Sequence, residues 1–328
     1  MKHNFTKVKE KLQWTKRIKQ DKVDNLYLKR FGKKYKEYRQ LWNKAGKDFL
    51  PDFPIHIDIE LIDACNLACI HCFRNEEIAR KMGITINTGA RFPLNIFKEI
   101  MDEGKAYGLK AINLGFSGEC LLRDDICELI NIAYESGVLD IRLITNGILI
   151  THNLAERLLN SRLTFLSMSI DATTSKTYEN LKGKDCFKQL EDNLTYLIQK
   201  KKESRKDFPL IRGSFYTSPE NQDEFGPFLE KYQDNFDFID CQDFKDLRNV
   251  KKHKKGNSCK MPFQRLAIFA NGDVAPCCSF FSKKLIVGNI TQSSVKEIWD
   301  SKIMKGIRKG LENKGPSKVC GECLQTIG

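Results

Sequence analysis

Three cysteines within eight residues constrain this chain more than any other feature. Cys65-Asn-Leu-Ala-Cys69-Ile-His-Cys72 follows closely on residues 55–61, where Ile55, Ile57, Ile59 and Leu61 alternate with His56, Asp58 and Glu60. Strict alternation is the signature of a half-buried β-strand, so the thiols sit on a loop leaving a strand end. Spacings of four and three residues let such a loop wrap three thiolates around one corner of an iron–sulfur cubane. A cluster of four irons with three local ligands keeps one iron open for chemistry. Zinc is the alternative, but it would want a fourth ligand close by.

The strand at 55–61 is the first of a series. Strand-like runs recur at 111–116, 141–145, 163–170, 210–216 and 236–241, with helical stretches at 94–107, 124–136, 154–160, 186–202 and 223–232 between them. Strands alternating with helices imply parallel pairing through crossover connections. The expected division is a basic helical extension over 1–52, an α/β barrel-like domain over 53–250, and a linker with a small module over 251–328. The linker is Lys251-Lys252-His253-Lys254-Lys255-Gly256, charged and without pattern.

Charge is concentrated at the start. Residues 1–50 hold sixteen Lys and Arg against five Asp and Glu, which is +11 of the net +13. Such an arm could meet phosphate groups, acidic lipids or an acidic partner. It could equally be a solvated helix packed on the body, because Leu26, Tyr27, Phe31, Tyr35, Tyr38, Leu41 and Trp42 recur at helical spacing. No stretch approaches the roughly 18 apolar residues of a membrane span, and no apolar run follows the first lysines as in a secretory signal. The expected location is the cytoplasm, where twelve cysteines are more readily metal ligands than disulfides.

The ordered motifs after the cysteine loop resemble those of the radical S-adenosylmethionine (SAM) superfamily. Gly115-Phe-Ser117-Gly118-Glu119 is similar to the family's glycine-glutamate segment, which meets the SAM amino group, and Asn146, Ser169 and Asp171 stand where relatives line the ribose and methionine. His71 occupies the slot of an aromatic residue near adenine, with Phe73 after the third cysteine. The resemblance departs from the family at Cys120, where a proline is common. It departs again at Leu181-Lys182-Gly183, where relatives often carry Ile-Arg-Gly to reach the SAM carboxylate. Lys182 could supply that charge, with Arg212 as the second candidate. Ligand sites beyond the carboxyl ends of strands are the rule in parallel α/β sheets and barrels. The implied fold is α/β: a partial (β/α)6 radical SAM barrel with the basic helical extension and a C-terminal module.

That module begins with a hairpin around Asn271-Gly272, flanked by 266–269 and Val274. A helix capped by Ser293 or Ser294 follows through Val295, Ile298 and Trp299. Cys259, Cys277, Cys320 and Cys323 give four thiolates, enough to saturate one cluster. Cys278 could replace Cys277, and zinc is again an alternative. The arrangement resembles the shortened SPASM, or twitch, extension of radical SAM enzymes, including Gly288-Asn-Ile290 and Glu297-Ile-Trp299.

The resemblance implies three cofactors: SAM, a catalytic 4Fe-4S cluster on Cys65, Cys69 and Cys72, and an auxiliary 4Fe-4S cluster. It implies an oxidoreductase in which a 5′-deoxyadenosyl radical abstracts hydrogen from a substrate C–H bond. A saturated second cluster suits oxidation, taking an electron from the substrate radical while Lys182, Arg212 or a histidine assists deprotonation. The alternative outcome is epimerisation, with Cys120, Cys186 or Cys241 as hydrogen donor. The segments 35–42 and 52–60 resemble SPASM-type proteins of surface-sugar pathways, which points to a carbohydrate or nucleotide-linked sugar. Modification of a ribosomally made peptide is the competing substrate class, and a metal- or nucleic-acid-binding adaptor the competing function. The expected partners are a small-molecule or peptide substrate and a one-electron reductant such as flavodoxin or ferredoxin. The lysines lack the interleaved motifs of a nucleic-acid module.

Overall fold

The computed structural model describes residues 21–46, 48–242, 259–279, 281–313 and 315–327. The linker at 251–256 and the first part of the basic arm lie outside them. Among the described residues nine strands form one sheet, in the order β6-β5-β4-β3-β2-β1-β7-β8-β9. Strands β1 (His56–Ile59), β2 (Ala111–Asn113), β3 (Asp140–Thr145), β4 (Phe165–Ser169), β5 (Leu210–Tyr216) and β6 (Phe238–Gln242) pair parallel, each with the next. This is the mixed α/β, mostly parallel architecture expected of a partial barrel.

Alternation along the strands divides the sheet into two chemistries. Ile57, Ile59, Ile112, Leu114, Ile141, Leu143, Leu166, Met168 and Ile211 join the main core. There they meet apolar residues of helices α4 (Leu94–Tyr107), α5 (Ile126–Glu135), α6 (His152–Asn160) and α8 (Phe187–Ser204). The intervening positions carry polar groups that bond to one another across strands. Asn113 Nδ2 donates to Asp58 Oδ1 at 3.0 Å, Arg212 Nε donates to Ser167 Oγ at 2.9 Å, and Arg265 Nη1 donates to Asp58 Oδ2 at 3.2 Å. With period two, one face can hold the apolar core while the other holds the site.

The described part of the basic arm closes one end of this sheet. Residues 21–31 form helix α1, and after Gly32 helix α2 runs Lys33–Lys44. Tyr27, Tyr35 and Tyr38 are buried against Ile55, Ala111, Leu139, Phe165 and Leu210, all at the amino ends of strands. Tyr27 and Tyr38 donate to the two carboxylate oxygens of Asp140, at 2.9 and 3.3 Å, and Arg142 pairs with the same group at 2.7 Å. The helical spacing of aromatics over residues 27–42 therefore reflects packing, with the described lysines of these helices exposed.

The C-terminal module continues the sheet. β7 (Arg265–Ile268) runs parallel to β1, while β8 (Asp273–Ala275) and β9 (Gly288–Asn289) add antiparallel around the Asn271-Gly272 turn. Helix α10 (Val295–Trp299) opens on a full capping box between Ser294 and Glu297. Its first amides also donate to the carboxylate of Glu103 on α4, at 2.9 and 2.8 Å, which clamps the module to the barrel. Trp299 Nε1 donates to Pro51 O at 2.8 Å, and the Arg308 guanidinium lies 3.9 Å above the indole. Helices α11 (Lys302–Glu312) and α12 (Lys318–Ile327) complete the chain. Among the described residues no helix is long and apolar enough to cross a membrane.

Candidate active site

A cleft of about 680 Å³ opens at the carboxyl ends of the parallel strands. All thirteen residues singled out for the first site line it: Cys65, Cys69, His71, Cys72, Phe73, Ser117, Gly118, Glu119, Asn146, Ser169, Asp171, Lys182 and Arg212. They come from the cysteine loop, the ends of β2, β3 and β4, strand β5 and the last turn before Gly183, far apart in the chain. Sequence reading missed further polar residues of the same cleft, among them Arg74, Asn87, Ser214, Tyr216 and Gln242. Ser214 and Tyr216 follow Arg212 with period two on β5 and were within reach of the alternation argument.

Backbone contacts hold the cysteine loop in place. Ala68 N donates to Lys182 O and Ile70 N to Leu181 O, both at 3.0 Å, so the loop runs against the end of helix α7 (Ser175–Lys182). Gly118 comes from the other side with φ +69; a Cβ there would sit 2.4 Å from Ile62 O and 2.8 Å from Ala64 O. Only glycine allows that approach. Asn146 Nδ2 donates to Asn66 Oδ1 at 2.7 Å, tying the end of β3 to the loop.

Glu119 is buried and its carboxylate is occupied by the protein. It accepts from Thr145 Oγ1 at 2.7 Å, Asn146 N at 2.9 Å and Leu121 N at 3.1 Å. Burial raises its pKa despite these donors. Its evident work is to join the ends of β2 and β3. Lys182 is buried beside Asp171, which also accepts from Tyr216 N at 2.7 Å. Burial alone would depress the ammonium pKa, but the Asp171 carboxylate outweighs it and holds Lys182 protonated. Asp171 has φ +64, an uncommon conformation for a residue other than glycine.

The thiols fit an iron–sulfur cluster in chemistry and placement. Burial raises the pKa of Cys65, Cys69 and Cys72, to about 12 for Cys69, and each of Cys65 and Cys69 feels the charge of its neighbours in the trio. Half-buried thiols lining one cleft suit an iron–sulfur cluster, whose iron deprotonates the soft sulfur it binds. In the module, Cys277 lies in the field of Cys259 and Cys323, and Cys259 in that of Cys320. Four thiols from three segments thus lie near one another. Cys278 points elsewhere: its sulfur accepts from Arg265 Nη1 at 3.2 Å and packs with Ala267, Phe269, Ala275 and Phe116. Among the described residues no three His, Cys, Asp or Glu side chains stand close enough, as placed, to share a single metal ion.

The sheet, the strand-end cleft and the two groups of free cysteines suit an iron–sulfur enzyme. The chain belongs to the radical SAM superfamily, whose model matches residues 59–214, and carries the iron-sulfur cluster-binding SPASM domain over residues 259–324. These domains imply SAM, a catalytic 4Fe-4S cluster and an auxiliary cluster. Mycofactocin maturase MftC of Mycolicibacterium smegmatis is 31% identical over 140 residues, 42% of this chain and 32% of the maturase. The S-adenosyl-L-methionine-dependent 2-deoxy-scyllo-inosamine dehydrogenase of Niallia circulans is 30% identical over 95 residues, 28% of this chain and 38% of that enzyme. The matched segment thus spans well under half of either relative. The crystal structure of BtrN in complex with AdoMet and 2-DOIA superposes with a TM-score of 0.52 at 17% identity, covering 81% of this chain and 91% of that one. At that identity the likeness is one of fold.

Proposed function

We propose that this enzyme oxidises a hydroxyl-bearing carbon of an uncharged sugar or cyclitol. The observation that carries the reading is charge balance in the cleft. Each Lys or Arg lining it, among the described residues, already stands beside a carboxylate: Arg74 with Asp63 and Glu60, Lys182 with Asp171, and Arg212 with Asp240 at 3.5 Å. His71 is likewise 2.9 Å from Glu220. A phosphorylated or nucleotide-linked sugar needs cations with spare capacity. The described helices of the basic arm cannot supply them, because they pack at the amino ends of the strands while the cleft opens at the carboxyl ends.

When bound, SAM on the first cluster supplies a radical that removes one hydrogen atom, and the second cluster offers an acceptor for the remaining electron. The chain's residues bind and orient. Ser214, Tyr216 and Gln242, with the guanidinium of Arg212, line the same cleft as the thiol trio and offer hydrogen-bonding groups suited to ring hydroxyls. Gly118 and Asn146 fix the loop that carries the thiols. Cys277, near Cys259 and Cys323, is assigned to the second set with Cys320, and Cys278, bonded to Arg265, is left outside it.

A second reading, modification of a ribosomally made peptide, draws on the match to the maturase. One experiment separates the two. The anaerobically reconstituted protein is reduced with dithionite and given SAM with neutral cyclitols and free sugars, with their phosphates, or with cysteine-containing peptides. Stimulated 5′-deoxyadenosine release with loss of two hydrogens from a neutral polyol supports the proposal. Turnover confined to phosphorylated sugars or to peptides refutes it.

A further inference from the structure

We propose that Lys283, in the C-terminal module, is a positioning residue for the first cysteine trio. It completes a buried cluster of two carboxylates and two cations that holds Arg74 beside Cys72. The backbone N–H of Arg74 donates to Cys72 Sγ at 3.4 Å. Its guanidinium pairs with Asp63 and with Glu60 at 3.3 Å, reaches Ser117 Oγ at 3.4 Å, and donates to Asn87 Oδ1 at 2.6 Å. Lys283 Nζ closes the group at 3.5 Å from Glu60 and 3.6 Å from Asp63.

These side chains are almost sealed from water: Glu60 is 1% exposed, Arg74 5%, Asp63 6% and Lys283 12%. With Lys283 the cluster is neutral; without it one buried carboxylate lacks a counter-charge, a state that proteins tolerate poorly. The other oxygens of both acids are engaged as well. Glu60 accepts from Ala270 N at 3.1 Å, and Asp63 from Thr88 Oγ1 at 2.7 Å. Neither carboxylate is placed to turn to solvent.

A second contact comes from the same turn. Phe281 packs with Phe73, the residue between Cys72 and Arg74, in a small apolar cluster that also includes Ile78, Val319 and Cys323. One short segment of the module thus holds the two residues that follow Cys72, Arg74 by charge and Phe73 by packing. Removing the Lys283 charge leaves the surroundings of the trio more negative, which disfavours adding an electron there. At an effective permittivity of about 20, one unit charge at the edge of a buried group changes such an equilibrium on the order of tenfold.

The test is a redox titration of the reconstituted full-length protein, following the electron paramagnetic resonance signal that responds to SAM, together with SAM affinity by equilibrium binding. Lys283→Met should lower the reduced-to-oxidised ratio at a given potential about tenfold, a fall of about 59 mV in midpoint, and weaken SAM binding. Lys283→Arg should restore both, and Lys284→Met, at the exposed neighbour, should change neither. If Lys283→Met does not fold, Lys283→Gln, which keeps a donor without the charge, carries the same expectation. A parental midpoint and SAM affinity in the neutral variant, or an equal shift in Lys284→Met, would overturn the proposal.

Discussion

Gly118→Ala is the sharpest test of how the cleft is built. The residue sits at φ +69, where any side chain costs about 1 kcal/mol or more. The added methyl carbon would lie 2.4 Å from Ile62 O and 2.8 Å from Ala64 O, closer than real contacts allow. Both obstacles are backbone, so neither can swing away; the turn at 115–119 must shift from the cysteine loop and strain the Glu119 N to Ala64 O bond of 2.9 Å. Together these make a loss of roughly 3 kcal/mol, in the range of single substitutions that strain a special backbone position. For a protein of this size that is about 4 °C in melting temperature. Gly226→Ala is the control: Gly226 lies in helix α9 (Phe225–Tyr232) with nothing within 4 Å of the new methyl, so it should be neutral or slightly stabilising. The assay is thermal unfolding of both variants with SAM affinity measured after reconstitution. A Gly118→Ala protein that melts with the parent and binds SAM equally well would refute the claim that this glycine sets the distance between segment and loop.

Three further outcomes follow from the same geometry. Replacing Cys65, Cys69 and Cys72 together with Ala should abolish SAM cleavage and halve bound iron, from about eight atoms to about four, by colorimetric iron and 5′-deoxyadenosine assays. Cys277→Ser should lower the iron content of the C-terminal site, whereas Cys278→Ser should leave it intact, because the Cys278 sulfur faces Arg265. Asp140→Asn should destabilise by roughly 2 kcal/mol, the buried-pair cost discounted because the Arg142 side chain is 38% exposed. Burial alone would raise the Asp140 pKa, but Arg142 outweighs it and holds the pKa below the usual carboxylate value. Its contribution is therefore complete above the unfolded pKa of about 4 and disappears as pH falls through the lower folded value. The melting gap between parent and variant should be flat from neutral pH to about 5 and close below about 4, and a gap that persists at lower pH would contradict this account.

The parts legible in sequence were those set by local pattern. Residues 210–216 and 94–107 were read within their observed bounds because period two and period 3.6 are unambiguous there. Helix α7 was missed: Ser175–Lys182 is short and polar, and its ends are set by the Thr174 cap and by Gly183 in the left-handed conformation. All the site residues expected at strand ends line the cleft, since a parallel sheet brings its carboxyl ends together whatever the intervening helices are. Arg74 could not be found this way. It carries no motif, and its partners Glu60 and Asp63 lie on a stretch whose direction is defined only once the sheet has closed. The choice between Cys277 and Cys278 was illegible for a related reason: adjacent residues near a hairpin face opposite ways, and which way is inward depends on β7 having paired with β1.

That pairing changes what the C-terminal module is. A hairpin docked on a finished barrel could be removed at little cost to the first site, but β7 is the sheet neighbour of β1, the strand that leads into the cysteine loop. Arg265 on β7 bonds Asp58 inside the sheet, Ala270 N bonds Glu60 at the end of β1, and Lys283 reaches the same carboxylate. The loop that carries Cys65, Cys69 and Cys72 is thus held on one side by α7 and on the other by residues that follow Cys259 in the chain. The two thiol sets are thus carried by segments tied to one continuous sheet. Under the proposed oxidation, the spacing between the site of hydrogen removal and the electron acceptor is a property of strand order, with no need for a separate docking event.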